Sequence, residues 1–101
     1  MTDEQLLAQF SQGDAAAYEA LYAKYRQPLL DFVSRRYPDS DAEDVVQATF
    51  LYVYTQPGEL NRGSSFRPWL FYIAACKALS AMEAQAIERR KLRAKMLESA
   101  A

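Results

Sequence analysis

Residues 40–54 read SDAEDVVQATFLYVY, and the spacing of their apolar side chains decides the fold class. At 100° per residue Ala42, Val46, Thr49, Phe50 and Val53 share one side, which predicts an amphipathic helix with a face to bury. Ser40 followed three residues later by Glu43 reads as an S-x-x-E capping box. Asp41, Glu43 and Asp44 crowd the first turn, where the helix dipole favours negative charge. The opposite side is the unexpected one. Asp44, Gln47 and Leu51 line up at i, i+3 and i+7, setting a leucine beside an acid and an amide where the core asks for nothing.

Outward from this stretch the whole chain reads as helix. Thr2 and Gln5 form a second capping signal, starting a short helix through LLAQF that stops near Gly13. Asp14 is placed to cap the next helix, which carries Tyr18, Leu21, Tyr22, Tyr25, Leu29, Phe32 and Val33 at helical spacing. Pro28 falls inside it and is expected to kink or interrupt it, because its ring removes a donor and crowds the preceding turn. Tyr37-Pro38-Asp39 is a turn, and Pro57-Gly58 punctuates the end of the opening helix near Thr55. GELNRGSS (58–65) is a polar loop. A final helix begins around Ser65 and runs past Arg90, with Pro68 tolerated in its first turn.

That last helix is apolar around much of its girth. Phe66, Trp69, Leu70 and Ile73 form one side, while Phe71, Tyr72, Ala75, Ala78, Leu79 and Met82 cover another. Its first part is therefore expected to run through the middle of a bundle, with the far half protruding. The fold class is all-α, a compact bundle of about four helices with the last one long. Residues 1–85 are expected to form the bundle and 86–101 a basic helical extension or the start of a linker.

Composition narrows the function. The chain has 101 residues, enough for one domain and one core, and its 50% hydrophobic and 25% charged content is ordinary for a globular protein. No uninterrupted apolar run approaches ~18 residues, so no membrane span is expected. A start lacking a basic-then-apolar layout and a single cysteine, Cys76, fit a cytoplasmic protein. The net charge of −1 hides an asymmetry: residues 1–59 carry −6 and residues 60–101 carry +5. The basic half is a candidate for phosphates, although ERRKLRAK (88–95) also reads as a solvated helix end. With no histidine, one cysteine and no G-x-x-x-x-G-K pattern, the usual zinc sites, histidine-assisted nucleophiles and phosphate cradles cannot form. No enzyme, cofactor or metal site is expected.

Taken in order, DAAAYEALYAKYRQPLLDFV, DAEDVVQATFLYVY and SSFRPWLFYIA resemble the second conserved region of bacterial RNA polymerase sigma factors, most closely the extracytoplasmic-function group. The resemblance spans about residues 3–82. It implies that Asp44, Gln47 and Leu51, flanked by Ala48, dock on the coiled coil of the polymerase β′ clamp. It also implies that the 58–65 loop and the following helix capture the single-stranded non-template strand of the promoter −10 element. Asn61, Arg62, Ser64, Ser65, Arg67 and Lys77 are the residues with chemistry for base edges and phosphates. An anti-sigma factor is a further candidate partner.

Departures from the family pattern weaken the nucleic-acid half. Tyr72 and Ala75 stand where arginines are usual, and Cys76 where an asparagine is usual. Each missing cation removes one possible phosphate neutralisation. The replaced face, with Phe71, Tyr72, Leu79 and Met82, supports an alternative in which a sigma-like module meets another protein or a second copy of itself. The sequence shows no second helix-turn-helix module of the kind that reads the −35 element; either it belongs to a longer chain or this is an isolated sigma-like domain.

Overall fold

The first helix begins on a reciprocal cap. Thr2 Oγ1 accepts from the Gln5 N–H at 3.1 Å, and Gln5 Oε1 accepts from the Thr2 N–H at 2.8 Å. The computed structural model describes residues 1–60 and 64–100. Its elements are α1 (Asp3–Ser11), α2 (Ala15–Arg36), α3 (Ala42–Thr55), a 3₁₀ turn (Pro57–Glu59) and α4 (Phe66–Ala100). Gly13 turns the chain out of α1 at φ 106°, a conformation that glycine adopts without steric cost. Asp14 Oδ1 then accepts from the N–H groups of Ala16 and Ala17 at 3.1 and 3.4 Å, starting α2 as the sequence predicts.

Three local expectations are corrected. The cap of α3 is Asp41, whose carboxylate accepts from the Asp44 N–H at 3.3 Å, and not Ser40. Ser40 is already used, because both its hydroxyl and its N–H donate to the Tyr37 carbonyl and close the preceding turn. Glu43 is then free of the cap and meets Arg26 of α2 at 3.3 Å. Next, α2 runs unbroken through Pro28. Tyr25 and Leu29 are buried on either side of it, and their packing outweighs one lost backbone hydrogen bond. The third concerns α4, which does not lie at the centre of the bundle.

The core explains that third result. Leu7 of α1, then Leu21, Tyr25, Leu29 and Val33 of α2, meet Val45, Val46, Phe50 and Val53 of α3. Onto this packs a single stripe of α4: Phe66, Leu70, Ile73, Ala74 and Ala78. Thr49 is fully buried and its hydroxyl donates to the Val45 carbonyl at 2.7 Å. No described element covers the other side of α4, so Tyr72 and Leu79 stay 68% and 55% exposed. Beyond Ala78 no residue is fully buried among those described, and the helix leaves the bundle. The molecule is accordingly elongated, 63 × 24 × 23 Å. By length and composition alone part of α4 could cross a membrane, contrary to the expectation from uninterrupted runs. The bundle buries 22% of that apolar stretch.

Candidate functional site

Two surfaces gather the residues singled out by sequence. The first is the outer face of α3. Burial of Val45, Val46, Thr49, Phe50 and Val53 fixes the rotation of this helix, and rotation alone turns Asp44, Gln47 and Leu51 to solvent. Leu51 is 62% exposed and Ala48 is half-buried beside it. Asp44 makes no ion pair among the described residues, so its carboxylate is available to an outside cation. An acid, an amide and a leucine within two helical turns offer a charge, a two-way hydrogen-bonding group and a dry contact.

The second surface surrounds the entry to α4. Ser64 and Ser65 are exposed there, while Asn61 and Arg62 lie outside the described residues. Arg67, in the first turn of α4, holds its guanidinium 4.9 Å from the centroid of Phe71 and 5.7 Å from that of Tyr25. Lys77 lies on a different side, its ammonium 5.1 Å from the Tyr52 ring. The structure therefore groups Ser64, Ser65 and Arg67 and sets Lys77 apart. On the partner face it likewise divides the candidates. Tyr72 and Leu79 point outward, Met82 is half-buried, and Phe71 packs edge-on against Phe32 at 5.1 Å.

Sequence reasoning missed what braces this region. The Phe66 N–H, one of the unpaired donors at the start of α4, donates to Glu4 of α1 at 2.8 Å. Beside it Lys24 donates to Asp3 at 2.8 Å, and the Tyr25 hydroxyl donates to the same carboxylate. Burial pushes the Asp3 carboxyl upward, but the hydrogen bonds from Lys24 and Tyr25, with the charges of Lys24 and Arg67, outweigh it and hold the pKa below the ordinary 3.8. At the other end of the loop, Tyr52 donates to Glu59, and Leu60 packs on the core. Asp3 and Glu4 lie in the first turn of α1, where their charge also suits the helix dipole.

Comparison with known proteins adds to this geometry. The family model described as sigma-70 region 2 matches residues 21–87. The ECF RNA polymerase sigma-E factor of Escherichia coli (strain K12) is 33% identical over 85 residues, covering 84% of this chain and 44% of that protein. Its namesake in Haemophilus influenzae is 31% identical over 85 residues, covering 84% of this chain and 45% of the relative. The chain thus spans less than half the length of these relatives. Among solved structures, an NMR structure of an engineered region 2 of sigmaE in complex with GTAAAA superposes with a TM-score of 0.76 at 31% identity. The match covers 85% of this chain and 90% of that one.

Proposed function

The chain belongs to the sigma-70 region 2 family, in its extracytoplasmic-function group, and on that footing we propose that it serves transcription initiation. Its α3 face docks on the β′ clamp coiled coil of core RNA polymerase, and the loop and helix entry after residue 58 take the opened −10 strand of the promoter. Residues 1–85 carry both tasks and 86–101 extend as a linker. The work is done in the cytoplasm, on DNA and polymerase, and calls for no enzymatic chemistry of its own.

The observation that supports docking best is the exposure of Asp44, Gln47 and Leu51 opposite a fully committed core face. A partner arginine can pair with Asp44, and Leu51 then becomes the dry centre of the contact. Pull-down on an immobilised β′ coiled-coil fragment tests this. Asp44→Ala and Gln47→Ala are each expected to weaken binding roughly tenfold, about 1.4 kcal/mol, with unfolding midpoints unchanged. Two variants that bind as tightly as the parent would remove the docking assignment. For DNA, a labelled GTAAAA strand should bind with an affinity that falls as salt rises, and Arg67→Ala should weaken it further.

A second reading rests on Tyr72 and Leu79, which leave an exposed strip on α4, Tyr72 standing where the family usually carries an arginine. On that reading the strip meets an anti-sigma helix or a second copy of the chain. Light scattering separates the two: a stable dimer favours the strip, a monomer with DNA affinity favours promoter binding.

A further inference from the structure

A cleft of about 400 Å³ opens between the second half of α2 and the first turns of α4. Pro28, Phe32 and Phe71 give it an apolar floor, and Arg35, Arg36 and Arg67 stand around it with Asp31 as the single acid. Asp31 already accepts from Gln27 at 3.0 Å. None of the three arginines has a carboxylate within ion-pair distance among the described residues. Three cations against one acid leave a positive hollow in a molecule whose formal net charge is −1.

The position of Arg35 and Arg36 in the last turn of α2 suits the helix dipole by itself. The dipole does not explain why Arg67, from another helix, converges on the same hollow over aromatic rings. Arg67 lies two residues beyond the exposed Ser65, so the hollow continues the surface assigned above to the opened strand. We propose that this cleft receives a nucleotide unit of single-stranded DNA that extends beyond the stretch held at the loop. The guanidinium forks grip its phosphate, and Phe32 and Phe71 supply the apolar contact for its sugar or base. The inference rests on the nucleic-acid half of the proposed function and widens it from α4 to α2.

Fluorescence anisotropy with two labelled strands tests it: GTAAAA alone, and the same sequence lengthened at both ends by several thymidines. Arg35→Gln/Arg36→Gln changes two exposed side chains, and its unfolding midpoint checks the fold. Arg89→Gln/Arg90→Gln makes the same change in charge on the far part of α4. The first pair is expected to weaken the lengthened strand roughly tenfold and to lower its salt slope by about 0.7 per lost phosphate contact. The short strand and the distal pair should show little change. Equal binding of the lengthened strand by parent and Arg35→Gln/Arg36→Gln overturns the cleft, as does an equal loss in the distal pair. An arginine-dependent grip on the lengthened strand with no affinity for the short one upholds the cleft and sinks the −10 assignment. A parent that binds neither strand overturns both.

Discussion

Asp3 shows how much one side chain carries here. Its carboxylate, 13% exposed, joins Lys24 and Tyr25 of α2 to the start of α1. A carboxyl whose pKa is lowered by folding stabilises the native state fully above its unfolded value, and that share is lost as the pH falls toward the lowered one. Acid unfolding should therefore steepen below about pH 4. Asp3→Asn should cost about 1–2 kcal/mol at neutral pH, discounted for the exposure of Lys24, and lose part of the acid dependence. Urea melts at pH 7 and pH 3 check this, and a variant that keeps the parent's full pH profile would show that Asp3 is a bystander. None of it was legible beforehand. Asp3 meets its partners 21 and 22 residues away, a pairing that no local periodicity encodes.

At the scale of elements, α3 was the most readable part because one periodicity fixes both of its faces. Knowing which residues must be buried tells which cannot be. Val53 and Leu51 stand two positions apart and should behave oppositely. Val53→Ala, at a fully buried site, should cost about 1–3 kcal/mol, while Leu51→Ala should stay within about 0.5 kcal/mol. Thermal unfolding measures both, and a large loss for Leu51→Ala would mean that this leucine serves the fold. The cap of α3 was read one residue early since Ser40 and Asp41 both suit the role and only the turn before them decides. For α4 apolar residues were read on two sides, but Ala78, placed with Tyr72 and Leu79, belongs to the buried stripe, and burial depends on how many neighbours arrive. Among the described residues three other α-helices are present, and they reach one side.

The whole molecule is a small acidic bundle with a basic rod leaving it. The bundle's excess of acid lies largely in the caps and turns between its helices, at Asp14, Asp39, Asp41 and Glu59, and the rod carries Arg89, Arg90, Lys91, Arg93 and Lys95 on exposed positions. Since full burial ends at Ala78, a chain cut after Gln85 should unfold within a few degrees of the parent by differential scanning calorimetry. A drop of ten degrees or more would show that the rod helps hold the bundle. The class of fold and its long, protruding last helix were legible from helix lengths and periodicity; the braces across the entry to α4 were not, because they join residues far apart in the chain. The bond from Phe66 to Glu4 makes this practical. It seats the first turn of the chain against the surface proposed to hold DNA, so a fluorophore on Met1 would sense a ligand arriving there. A bulky purification handle fused ahead of Met1 would obstruct the same spot, and belongs instead on the far tip of α4.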